Sequence, residues 1–88
     1  MKIKPEYSLS YEPDIIYIVR KNDDGTTTDI CPISETAAMA WDGIVHGVER
    51  DQIIRAIAEE FDGATPEIVE AELTSLEQQL VAYGYAEV

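Results

Sequence analysis

One cysteine, Cys31, and one histidine, His46, are the side chains in this sequence whose chemistry could reach beyond ordinary solvation. Nucleophilic catalysis needs a thiolate or hydroxyl, a base within hydrogen-bond reach and a third group to orient that base. Cys31 alternates with Ile33 in a β-type run, so it shares a face with an apolar neighbour and reads as a small buried hydrophobe. His46 precedes Gly47 where a helical pattern stops, a place where an imidazole can bond the last carbonyls of a helix. With no Cys-x-x-Cys and no His-x-x-x-His pair, zinc or iron–sulfur ligation has no donor set, and no cofactor is expected.

The remaining chemical candidates reduce to turns and caps. Asn22-Asp23-Asp24-Gly25 suggests a calcium loop. Aligning Gly25 with the invariant glycine, however, puts Arg20 at the first ligand position and Cys31 where the bidentate glutamate should stand. The glycines at 25, 43, 47, 63 and 84 are scattered one to a turn or helix end and form no phosphate cradle. A phosphopantetheine carrier would need a serine opening a helix; Ser34 is followed by Glu35 and reads as a cap, and Ser75 falls inside a helix.

Charge narrows the partners. Six Lys and Arg stand against eighteen Asp and Glu in 88 residues, a net charge of −12, which repels nucleic-acid phosphates and anionic lipid headgroups. Residues 51–88 carry nine acidic side chains and only Arg55, so that half would steer a cationic partner. The start, Met1-Lys2-Ile3-Lys4-Pro5-Glu6, has no apolar secretory core, and no stretch approaches the roughly 20 apolar residues of a membrane span. A lone cysteine fits a reducing, cytoplasmic compartment. An 88-residue chain forms one domain and folds on packing alone.

The elements follow from periodicity. Tyr7–Tyr11 alternates large and small residues, Pro13-Asp14 interrupts, and Ile15–Arg20 resumes as a second strand. The Asn22–Gly25 turn then returns the chain as a third strand over Thr26–Ile33, completing a hairpin over 15–33. Pro32 cannot donate to a ladder, so this strand ends there or has a free edge. From Ser34 the period becomes helical. Ser34 caps a helix from Glu35 to about Val45, with Ala37, Ala38, Trp41, Ile44 and Val45 on one face and Gly47 placed to stop it. A second helix runs from about Asp51 to Phe61 with Ile53, Ile54, Ile57, Ala58 and Phe61 inward. Thr65 and Pro66 open a third, which runs to about Tyr83 with Val69, Leu73, Leu76, Leu80 and Tyr83 as one core-facing stripe; an extended Tyr85–Val88 tail follows Gly84. Three strands then three helices give an α+β domain, the helices on one face of a three-stranded antiparallel sheet. A Thr-rich strand without bulky exposed residues beside an amphipathic helix is a geometry for capturing an extended peptide by strand addition.

From Ile15 to Tyr85 the sequence resembles the PqqD-like family, the peptide-binding domains known as RiPP recognition elements. The resemblance rests on Pro32-Ile33-Ser34-Glu35-Thr36-Ala37-Ala38-Met39-Ala40-Trp41, on Gln52-Ile53-Ile54-Arg55-Ala56-Ile57-Ala58-Glu59-Glu60-Phe61, and on the long run from Val69 to Tyr85. Ser34 stands where the family often has Asn, and Glu49-Arg50 replaces the usual Thr or Ser, which weakens the start of the second helix. The resemblance implies a winged helix-turn-helix-like fold and a role without catalysis. Such a domain binds the leader segment of a ribosomally made precursor peptide and presents the core segment to a modifying enzyme, often a radical-SAM enzyme. The leader adds to the third strand, here Thr27, Thr28, Asp29, Ile30 and Cys31, and lodges against the third helix, whose flank offers Ile68, Glu72, Ser75, Leu76 and Gln79. Apolar leader residues would fill pockets near Ile30, Ile68 and Leu76, and Glu72 or Asp29 would meet a leader Lys or Arg. The free edge is compatible with a monomer or with an edge-paired dimer. The rival, a winged-helix DNA-binding regulator or a generic acidic interaction module, would need in its DNA-binding form a basic recognition helix that residues 51–88 lack.

Overall fold

In the computed structural model, which describes residues 1–88, the elements run β1 (Lys2–Ile3), β2 (Tyr7–Tyr11), β3 (Ile16–Lys21), β4 (Thr27–Ile33), α1 (Glu35–Val45), α2 (Arg50–Glu60), α3 (Pro66–Ala82) and β5 (Ala86–Glu87). The β2-β3-β4 sheet is antiparallel throughout and precedes the three helices, the α+β order that the periodicity predicts. At the β3–β4 turn Gly25 takes φ +86°, a left-handed value that a side chain would disfavour. The Asp24 carboxylate accepts from the Thr26 N–H (3.0 Å) and the Thr26 hydroxyl (2.6 Å), and those bonds hold its pKa below the usual value. Asn22 Nδ2 donates to Thr26 Oγ1 and Thr28 Oγ1 (3.1 and 2.9 Å), which fixes the base of β4.

Each helix starts and stops as its cap residues dictate, with one exception. Ser34 Oγ accepts from the Ala37 N–H (3.1 Å) and Thr65 Oγ1 from the Ile68 N–H (3.3 Å). At the end of α1 the His46 ring donates through Nδ1 to the Asp42 carbonyl (2.7 Å), and Gly47 turns the chain at φ +71°. The exception is α2: Glu49 stands at its N-cap with no side-chain cap bond, the weak start expected where Thr or Ser is missing.

Two joined clusters form the core. Ala40, Ile53, Ile54, Ile57, Val69 and Leu73 pack the three helices together; Ile3, Ile18, Trp41, Leu80 and Ala86 pack the sheet and both termini onto them. Cys31 and Ile33 lie half-buried against the second cluster, as their alternation predicts, with Cys31 Sγ 3.9 Å from the Tyr85 hydroxyl. Burial, together with this sulfur contact, raises the Tyr85 pKa.

Val45, grouped with Ala37, Ala38, Trp41 and Ile44 on one face of α1, is 53 % exposed, because it is the last residue of the helix and nothing packs over that end. Two further features depart from expectation. Tyr83 was expected to complete the α3 core stripe but is 69 % exposed. The spacing of four, three, four and three falls behind a 3.6-residue turn by about 20° per seven residues, so two repeats bring Tyr83 to the margin of the core face. It also stands at the C-cap, where the helix is already ending. The second departure is the ribbon that β1 and β5 form, pairing Lys2 with Glu87 and Ile3 with Ala86. The sequence indicates an extended tail but no partner for it.

Candidate peptide-binding site

β4 is an outer strand: it pairs with β3 on one side, and no strand lies on the other. Thr27, Thr28, Asp29 and Ile30 are exposed along it and Cys31 is half-buried. The strand is thus not free of bulky exposed side chains, although its threonines suggest that it is: Ile30 is exposed because it is the extra residue of the irregular pairing with β3. The pairing is not uniform. Ile18 lies opposite Cys31 while the next residue, Val19, lies opposite Asp29, so Ile30 is the extra residue of a β-bulge.

β4 leads at Ser34 into a groove of about 420 Å3 between α1 and α3. Its floor is aliphatic, from Ala40, Ile57, Val69 and Leu73, which are buried, and Ala37 and Leu76, which are partly so. Its rim is polar, from Ser34, Thr36, Glu72, Ser75 and Gln79. The floor exists because small residues at 37 and 40 sit where α1 faces α3, leaving room that larger side chains would fill.

Four of the expected helix residues, Glu72, Ser75, Leu76 and Gln79, line this one groove. Ile68 does not; it is 50 % exposed on α3, one turn before Glu72. The strand residues Thr27 to Cys31 lie along the free edge and contribute nothing to the groove lining, which begins beyond them at Ser34. Ala37, Ala40 and Ile57 complete the floor and were not expected there. The small-residue pair at i and i+3 in α1 is the signal that could have pointed to them.

The electrostatics of α3 differ between its two sides. Glu70, Thr74 and Glu77 follow one another at helical spacing and are clasped by Arg50. Its Nη2 donates to Thr74 Oγ1 (2.6 Å), its Nε donates to Glu77 Oε1 (3.2 Å), and its Nη1 lies 3.7 Å from Glu70 Oε1. Arg50, which cannot cap α2, instead fastens the start of that helix to α3, an arrangement the sequence did not signal. Glu72 lies half a helical turn away, among the groove residues, and is the one charged side chain of the lining. An aliphatic floor with one carboxylate at the rim and a backbone edge leading in suits an extended peptide that carries an apolar anchor and a cation. No group of three or more His, Cys, Asp or Glu is arranged to hold a metal ion, and no helix is long and apolar enough to cross a membrane.

No protein-family model matches the sequence, and no curated protein matches it. Among solved structures the chain is similar to TbiB1 in complex with the TbiA(beta) leader peptide: TM-score 0.74, 20 % sequence identity, covering 99 % of this chain and 95 % of that one. At that identity the likeness is one of fold. The chain therefore has the α+β, winged-helix-like fold of a protein seen with a leader peptide bound.

Proposed function

We propose that this chain captures the leader segment of a ribosomally made precursor peptide and presents the core segment to a modifying enzyme, without catalysing the modification itself. The observation that carries this reading is the free β4 edge leading into an aliphatic groove rimmed by Glu72. The fold shared with TbiB1, which is seen with a leader peptide, supports it. In this reading the leader adds as a strand beside Thr27–Cys31 and its apolar residues settle against Leu73 and Leu76. A leader Lys or Arg meets Glu72 or Asp29, drawn in by the net charge of −12. The resemblance to PqqD-like domains further suggests a cytoplasmic setting and a radical-SAM enzyme as the modifying partner.

The test is an amide NMR titration with synthetic peptides spanning the N-terminal halves of the short reading frames that neighbour the gene. Saturable shifts confined to residues 27–34 and 72–79 are expected, with a modest dependence on salt. Shifts centred elsewhere, or no binding by any peptide to a well-dispersed protein, would falsify the reading. A steep loss of affinity for duplex DNA with rising salt would instead favour a nucleic-acid role.

A further inference from the structure

The β4 edge is not a uniform docking strip, and its hydrogen-bonding parity can be worked out. On the β2 side of β3, the Lys21 N–H donates to the Glu6 carbonyl (2.8 Å) and the Glu12 N–H to the Ile15 carbonyl (2.9 Å). Residues alternate along an antiparallel ladder, so the odd-numbered residues of β3 turn their backbone groups to β2 and the even-numbered ones turn theirs to β4. The Asn22 N–H, which donates to the Thr26 carbonyl (2.8 Å), agrees with that phase. Arg20 pairs with Thr28, Ile18 with Cys31 and Ile16 with Ile33, so Thr28, Cys31 and Ile33 spend their backbone groups on β3. Thr27, Asp29 and Pro32, opposite Lys21, Val19 and Tyr17, turn theirs outward.

The outward positions are therefore 27, 29 and 32, not 27, 29 and 31. The bulge at Ile30 lengthens the last interval by one residue, and the residue it delivers to the edge, Pro32, has no N–H. A regular incoming strand presents partners every second residue and can match 27 and 29 but falls out of phase at 32.

Building on the leader-binding reading, we infer that the incoming strand pairs with the backbone of Thr27 and Asp29 only, and that the Ile30 bulge and Pro32 end the pairing and turn the ligand toward the groove at Ser34. The recognised segment then has two parts: a short extended stretch held by two outward N–H groups and their carbonyls, and an apolar anchor beyond it. The same arrangement discourages a second copy of the chain. A pairing of two β4 edges centred on Asp29 would set two Asp29 carboxylates opposite each other on partners that each carry −12, and Pro32 removes the donor that would lengthen the contact.

Two measurements test this on the full chain with the peptides named above. Amide hydrogen exchange on the free protein should show Thr27 and Asp29 unprotected and Thr28 and Cys31 protected, and bound peptide should slow exchange at Thr27 and Asp29 alone. A protected Asp29 amide in the free protein would overturn the parity. In titrations, Thr27→Pro and Asp29→Pro, which place proline where the strand already tolerates it at 32, should each weaken binding about tenfold. Pro32→Ala should leave affinity within about twofold. Wild-type binding that survives both proline variants, or that strengthens about tenfold in Pro32→Ala, would overturn the register while leaving leader capture standing. Failure of every peptide to bind the wild-type chain would overturn both. The exchange measurement needs no variant and decides the matter if the proline variants unfold.

Discussion

The three-stranded sheet has two open flanks, and both present free backbone. β2 pairs with β3 over all five of its residues without interruption, and the same parity turns Leu9 and Tyr11 outward. Tyr7 is outward too, but its N–H is taken by the Lys4 carbonyl (3.1 Å). β2 carries large side chains, one of which, Tyr11, is tethered through its hydroxyl to Asp42 Oδ2 (2.9 Å). β4 instead carries threonines and an aspartate, is broken by a bulge and a proline, and leads into a groove that no β2 residue lines. Unpaired amides are therefore common to both flanks and do not by themselves distinguish β4. On the leader-binding reading, the distinction lies in the short side chains of Thr27 and Asp29 at the outward positions of β4 and in the apolar groove that begins beyond the strand at Ser34.

The comparison is most strongly challenged at Ile57, which belongs to both the core and the groove floor and is 2 % exposed. Ile57→Ala should cost about 3 kcal/mol in denaturant unfolding and loosen the groove while leaving the β2 flank intact. An unchanged denaturation midpoint would mean that the floor is not part of the core. Next comes Leu76→Arg, a charge set at the margin of the floor. Calorimetry should find leader affinity reduced about a hundredfold with the circular-dichroism spectrum unchanged, whereas wild-type affinity would shift attention to β2.

Smaller effects sharpen the contrast. Ser34→Ala removes the α1 cap at the mouth of the groove and should lower stability by about 1 kcal/mol in a denaturant melt. Tyr11→Phe cuts the β2 tether. Because that residue is 60 % exposed, the loss should stay below about 0.5 kcal/mol, with leader affinity unaltered. Burial, with the Asp42 bond and charge, raises the Tyr11 pKa. Stability from this bond should therefore be complete below about pH 10, the ordinary tyrosine value, and disappear as pH rises through the higher folded value. A pH titration of the melting midpoint in wild type and Tyr11→Phe would show the two curves converging above that range.

The strands, helices, caps and most inward positions could be read from residue type because each depends on neighbours within a few positions: Ser34 with Ala37, Thr65 with Ile68, Cys31 with Ile33; Val45, at the open end of α1, is exposed instead. The α3 part of the groove lining, Glu72, Ser75, Leu76 and Gln79, was legible for the same reason, as one flank of a helix. What was not legible depends on residues far apart in sequence. The bulge at Ile30 exists only as a register against Ile18 and Val19. The clasp of Arg50 joins it to Glu70, Thr74 and Glu77. The β1–β5 ribbon needs two dipeptides from opposite ends, each too short to show a period. Tyr83 was misplaced for a different reason: a repeat of seven was extended past the point where a straight helix keeps it.

The ribbon has a mechanical consequence. Lys2 and Glu87 face each other at its outer end, and Ile3 and Ala86 at its inner end are buried against Trp41 and Leu80. Tension applied between residues 2 and 87 meets the ribbon's few bonds in succession rather than all at once, so the ribbon opens like a zipper under a small force. Load then passes to the buried inner pair before it can reach β3 or β4. The ribbon thus yields first and leaves the strand at the groove unstrained while it does.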